Sequence, residues 1–249
     1  MMHKYPGSRI RIYPDINALA TGLYGYLAPE VLLNHDRKHP VNIALAGGNT
    51  PRVFYELLGG LPPGSLPWNH IHLWWGDERC VPAGHPESNY RMVRESLLNH
   101  IDIPGENVHR IRGEATPAEE VVRLERLLSE HLPLSEEGIP VFDLILLGIG
   151  EDGHTASLFP GPAPVRFQGN WLSVTQHPVS GQQRITLNLT VLNLARLIVF
   201  LVSGSSKAEV VSSILGHHPE AESLPAGRIK PVDGQLIWFL DKDAAVFLS

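Results

Sequence analysis

Four apolar residues, Leu144–Leu147, run without a polar interruption into Gly148-Ile149-Gly150-Glu151-Asp152-Gly153-His154, and this stretch constrains the fold more than any other. A run this short, with no alternation, suits a strand covered on both faces. Such a strand needs helices above and below it. That is the arrangement of a parallel α/β sheet, which places its chemistry at the strand tips. The loop that follows joins flexible backbone to an ionisable side chain, as a reactive tip requires.

The spacing Gly148-x-Gly150-x-x-Gly153 after a strand is one that can bring backbone N–H groups to a pyrophosphate at a helix start. Its surroundings speak against that use. Glu151 and Asp152 put negative charge where the pyrophosphate would lie, and Pro160-Gly161 ends the segment where a long helix should run. Further on, Trp171-Leu172-Ser173-Val174 stands where a ribose-binding acid is expected. His154 instead reads as a general base, because imidazole titrates near neutrality and a carboxylate on one ring nitrogen leaves the other free to take a proton. Asp152 is the local candidate for that carboxylate; the alternative is that it caps the turn.

Other apolar runs repeat the theme. Val41–Leu45 enters Ala46-Gly47-Gly48-Asn49-Thr50-Pro51, where Thr50 can cap a helix, Pro51 suits its first position, and Phe54, Leu57 and Leu58 supply its buried stripe. Leu197–Val202 enters Ser203-Gly204-Ser205-Ser206-Lys207, with Ser206 and Glu209 spaced as a capping box. Strand-to-helix junctions of this kind offer free N–H groups and the positive end of a helix dipole to an anion. Lys207, in the first turn, opposes that dipole unless it and the amides hold an anion together.

Further strands are expected at Ile71–Trp75, Trp171–Thr175, Ile185–Leu189 and Leu236–Leu240. Helices are expected over Asp15–Leu33, from Ser88 or Asn89 with Tyr90, Val93, Leu97 and Ile101 inward, and from a Thr116/Glu119 capping box with Val121, Leu124, Leu128 and Leu132 inward. Pro160–Gly169, rich in proline, should be irregular. The charged triplet Asp77-Glu78-Arg79 follows a buried strand directly, which is costly unless it faces a cleft or pairs internally. Glu78 is expected to pair with Arg79, and Cys80 to be a packed small residue rather than a nucleophile.

Gly148-Ile-Gly-Glu-Asp-Gly-His154-Thr-Ala-Ser-Leu-Phe-Pro-Gly161 resembles the signature of the 6-phosphogluconolactonases, within the glucosamine/galactosamine-6-phosphate isomerase superfamily. Ala46–Pro51, Trp75–Pro82 with Ser88-Asn89-Tyr90, and Pro225-Ala-Gly with Trp238–Asp241 match in order and spacing over nearly the whole chain. The resemblance implies a Rossmann-like three-layer α/β fold with a mostly parallel central sheet, of the NagB/RpiA/CoA-transferase-like kind. It implies hydrolysis of a phosphorylated sugar lactone in the pentose phosphate pathway, with no cofactor and no metal. His154 and Asp152 would be catalytic; Gly47, Gly48, Asn49, Thr50, Asp77, Arg79, Arg184 and Lys207 would bind substrate. Ala46 and Asn49 depart from the family's Ser-Gly-Gly-Ser-Thr, removing two hydroxyls and leaving the backbone contacts.

Composition sets the remaining bounds. At 249 residues and 43% hydrophobic content, residues 1–249 can form one domain around a full core. A net charge of −6 argues against a nucleic-acid surface, and no apolar stretch has membrane-spanning length. The start, Met1–Pro6, lacks a signal peptide's apolar run, and the lone Cys80 allows no internal disulfide; both fit a cytoplasmic protein, expected as a monomer or weak dimer. Thirteen histidines include no His-Glu-x-x-His, and His70-x-His72 and His217-His218 read as surface or packing residues. A deaminase of glucosamine 6-phosphate is the nearest rival. It would want a further carboxylate near the histidine, and Thr155–Val165 contains none. A non-catalytic sugar-phosphate sensor is the second rival.

Overall fold

A computed structural model of the chain describes residues 9–33, 39–161 and 165–248. In chain order the strands are β1 (Arg9–Tyr13), β2 (Val41–Leu45), β3 (Ile71–Trp75), β4 (Asp77–Arg79), β5 (Val108–His109), β6 (Leu144–Leu147), β7 (Val165–Gln168), β8 (Leu172–Gln176), β9 (Gln183–Leu187), β10 (Leu197–Val202) and β11 (Gln235–Asp241). The α-helices are α1 (Ile16–Leu27), α2 (Asn49–Gly59), α3 (Asn89–Ser96), α4 (Pro117–His131), α5 (Leu189–Leu194) and α6 (Ala208–Leu215).

The central layer is a seven-stranded sheet in the order β1-β11-β10-β6-β2-β3-β5. Every pairing in it is parallel. All residues of β2, β6 and β10, which lie side by side, are buried, as their unbroken apolar sequences require of strands covered on both faces. With helices packed against it, this is the expected three-layer α/β arrangement.

A second sheet, β4-β9-β8-β7, is antiparallel; β8 and β9 answer to the strands expected at Trp171–Thr175 and Ile185–Leu189, whereas β4, β7 and the separate sheet were not expected. The charged triplet is itself the strand β4, and Arg184 lies inside β9 rather than before it. Within the stretch expected to be irregular, Val165–Gln168 forms the exposed edge strand β7; residues 162–164 lie outside the described residues.

Several expected helix starts are built differently. α2 begins two residues early, with Gly48 at its N-cap at φ 103°, a left-handed conformation that favours glycine. Thr50 therefore does not cap it, and its hydroxyl meets Ser203 Oγ at 2.7 Å. Thr116 makes no side-chain cap on α4, and Glu120, 2% exposed, rather than Glu119 turns inward to accept from Arg112 N–H and Arg123. The Ser206/Glu209 box does not form: a 3₁₀ turn over Ser205–Lys207 leads into α6, which has no side-chain cap. Ser88 does cap α3, accepting from Arg91 N–H at 3.1 Å, but α3 ends at Ser96, so Ile101 lies beyond its stripe.

His70 closes a 3₁₀ turn and does not share a strand face with His72. His72 lies on β3, and its ring joins those of His109 on β5 and His131 at the end of α4. His109 stacks on Trp74 at 3.9 Å, and burial, with the neighbouring imidazoles adding, pushes its pKa down to about 3. Among the described residues no helix is long and apolar enough to cross a membrane; the start of the chain, Met1–Pro6, lies outside them.

Candidate active site

Because β10, β6 and β2 are adjacent and parallel, their C-terminal exits open side by side. The loops after them form one wall of a cavity of about 390 Å³, and the β3–β4 exit and β9 form the other. Gly47, Gly48, Asn49, Thr50, Asp77, Arg79, His154, Arg184 and Lys207 all line it. Asp152 reaches it through His154. This is the placement expected of a doubly wound sheet, whose crevice lies beyond the carboxyl ends of its central strands.

His154 Nδ1 lies 2.6 Å from Asp152 Oδ1, and the same oxygen accepts the His154 backbone N–H at 3.1 Å. One carboxylate thus does both things the sequence left open: it caps the turn and fixes the ring. Burial raises the Asp152 pKa, but the His154 amide and imidazole outweigh it, and the net shift is downward. With Nδ1–H given to a carboxylate, Nε2 carries the lone pair, which is the tautomer a base requires. Gly150 makes room for this pair, since a Cβ there would lie 2.1 Å from His154 Nδ1 and 2.5 Å from Asp152 Oδ1. Phe159 packs beside the imidazole at 5.2 Å.

Arg79 and Arg184 face each other across the β4–β9 ladder. Like charges directly opposite are destabilising unless something negative lies between or beside them. The Nε atoms of both are buried without a hydrogen-bond partner. Burial, and then the nearby Arg79 charge, hold the Arg184 pKa below the usual guanidinium value. Lys207 Nζ lies 3.3 Å from Glu151 Oε1, so this cation stands at the cavity with an exposed carboxylate as its partner. At the start of α2 the first intrahelical bond runs from Arg52 N–H to the Gly48 carbonyl, which leaves earlier amides of the loop outside the helix ladder.

The expected Glu78–Arg79 ion pair is absent among the described residues. The Glu78 carboxylate, 2% exposed, instead accepts the backbone N–H groups of Arg79, Asn89 and Tyr90 and the Ser88 hydroxyl. Burial raises its pKa and those bonds oppose the rise. Asp77 is also buried and receives Ser157 Oγ at 2.5 Å. Cys80 is partly buried, its thiol pushed up to about 11 by burial and then by Glu78, which keeps it protonated as a packing residue.

Sequence reasoning missed Ser157, Asn89, Ser203, Glu151 and Phe159. Asn89 donates to the Asp77 carbonyl at 2.9 Å and closes over Gly47, where a Cβ would meet its Oδ1 at 2.0 Å. Ser157 ties the β6 loop to β4. The available signal was position alone: Ser157 and Phe159 follow His154 by a few residues, and Asn89 sits at a helix start.

A family model described as glucosamine-6-phosphate isomerases/6-phosphogluconolactonase matches residues 14–238. A 6-phosphogluconolactonase of Haemophilus influenzae is 42% identical over 223 residues, which cover 89% of this chain and 94% of that protein. Among solved structures, the devB protein superposes with a TM-score of 0.87 at 40% identity, covering 97% of this chain and 100% of that one. The 6-phosphogluconolactonase of Trypanosoma brucei does so with a TM-score of 0.84 at 29% identity, covering 99% and 100%. The strand exits, the cavity they enclose and a match along nearly the full length agree, and the chain belongs to the glucosamine-6-phosphate isomerase/6-phosphogluconolactonase family.

Proposed function

We propose that the chain hydrolyses 6-phospho-D-glucono-1,5-lactone to 6-phosphogluconate. The observation that carries this reading is the pairing of a carboxylate-braced imidazole with two cross-strand guanidiniums, each with a buried, unpartnered Nε, on the walls of one cavity. Arg79 and Arg184 hold the phosphate, and Lys207 exchanges Glu151 for it or for a ring hydroxyl. Anchored at that end, the lactone presents C1 to His154.

Nε2 of His154 removes a proton from water as the water oxygen bonds to C1, and the carbonyl oxygen gains the negative charge. Backbone amides of Gly47 and Gly48, which line the same cavity, donate to that charge. When the tetrahedral centre collapses, the bond from C1 to the ring oxygen breaks and the imidazolium returns its proton to the departing oxygen. Asp152 stabilises the imidazolium formed between the two steps.

Deamination of an amino sugar phosphate wants a further carboxylate beside the imidazole. Asp77 lines the cavity, but its carboxylate is buried and bonded to Ser157 and Asn89. That favours hydrolysis. The test sets the lactone against glucosamine 6-phosphate, each with wild type and His154→Ala. Lactone opening well above the spontaneous rate, lost in the variant and without ammonia release from the amino sugar, is expected; ammonia release would transfer the chain to the deaminase reading, and failure of both reactions would leave a sensor.

A further inference from the structure

We propose that His72, His109 and His131 form a binding site for a divalent transition-metal ion, zinc in the first instance, separate from the cavity described above. One donor nitrogen from each of the three lies within 4.8 Å of the others. None of the three lines the active-site cavity. The residues come from β3, β5 and the last turn of α4, so no spacing along the chain announces them.

The rings are already arranged as ligands. His72 Nδ1 and His109 Nε2 face each other at 3.0 Å, an arrangement in which a single proton bridges two lone pairs and a metal ion can replace it. His131 gives its Nδ1 to the Leu127 carbonyl at 2.9 Å, which fixes its tautomer and leaves Nε2 as the donor, the outer-shell bond that metal-binding histidines commonly make. Trp74 stacks under His109 and is itself held by Asn42 Oδ1 at 2.9 Å, so the floor of the site is rigid. The Arg123 guanidinium, which acts on His109 electrostatically, is engaged by the Glu120 carboxylate at 2.6 Å.

Ligand chemistry selects the ion. Three neutral imidazoles with neither carboxylate nor thiolate suit zinc and its neighbours and disfavour magnesium or calcium. A tetrahedral zinc with Zn–N near 2.1 Å sets its ligand nitrogens about 3.4 Å apart. The three donor atoms lie within 4.8 Å of one another, close to that spacing, and the exposed His131 gives the ion a path from solvent. The fourth position is left for water, as in other sites with three protein ligands.

The test titrates zinc into chelator-stripped full-length protein by calorimetry, with cobalt(II) as a spectroscopic substitute. His131→Ala and His72→Gln are compared with His154→Ala and with His217→Ala/His218→Ala as controls, circular dichroism establishing that each is folded. One zinc per chain is expected, with affinity falling at least tenfold in the first two variants and unchanged in the controls. Zinc should raise the melting temperature of wild type and not of His131→Ala, and the strong visible absorption of four-coordinate cobalt should be lost in the same variant. Lactone turnover in His131→Ala should equal that of wild type. Absence of saturable one-to-one binding, or affinity unaltered in both His131→Ala and His72→Gln, would overturn the assignment.

Discussion

At the scale of single residues, the site rests on how tightly one turn of backbone is folded around His154. Asp152 reaches back to the amide and the ring of a residue only two positions on, which is possible because Gly150 leaves the space they occupy. His154→Ala should lower kcat by about 10²–10⁴, the usual worth of a positioned general base, with little change in KM. Gly150→Ala tests the packing rather than the chemistry. Its methyl would stand where the imidazole and carboxylate now lie, so kcat should fall roughly tenfold or more while the melting temperature holds within a few degrees. A Gly150→Ala enzyme with wild-type kcat would show that the ring does not need its present position.

Among the elements, β4 and β9 hold the argument about substrate. Their facing arginines set like charges directly opposite each other, which is destabilising, and under the proposed function bound phosphate would relieve that repulsion. Phosphate or 6-phosphogluconate should therefore raise the melting temperature of wild type, and Arg184→Met should abolish the rise and increase KM about 10–100-fold with a smaller effect on kcat. Equal stabilisation of both proteins would remove Arg184 from the binding set. Ser157→Ala leaves the buried Asp77 carboxylate short of a donor and should cost about 1–3 kcal/mol in urea unfolding. This second sheet is also where reading the sequence fell short. β2, β6 and β10 announce themselves as apolar runs because both their faces are covered, whereas β4 is three charged residues and β7 is exposed throughout, so neither carries a burial pattern. His154, Lys207 and Arg79 could be singled out in the sequence because they follow strand tips, and all three line the cavity. Asn89, Ser157 and Ser203 were not, because their importance lies in contacts across 12, 80 and 153 positions of chain.

For the molecule as a whole, the cavity has one wall from each sheet, and the Asp77–Ser157 and Leu187–Gly76 hydrogen bonds stitch the two together. We propose that residues 1–249 behave as one domain, and calorimetry should then give a single transition that ligand moves without splitting. Its pH dependence should carry the mark of the buried imidazoles. Unfolded, His109 takes up a proton near its ordinary 6.5; folded, it does so only near about 3. Between those values the unfolded chain binds more protons, so stability falls as pH drops below 6.5 and this contribution stops changing below about 3. His72 adds in the same direction, its pKa lowered by burial first and then by His131, with Glu106 opposing. Carboxylates titrate across part of the same range, so the effect is isolated by comparison with His109→Phe, whose ring can still stack on Trp74 but binds no proton. In metal-free buffer, the stability difference between variant and wild type should shift toward the variant as pH is lowered from 6.5. A difference independent of pH would mean that His109 is protonated in the folded state as readily as in water.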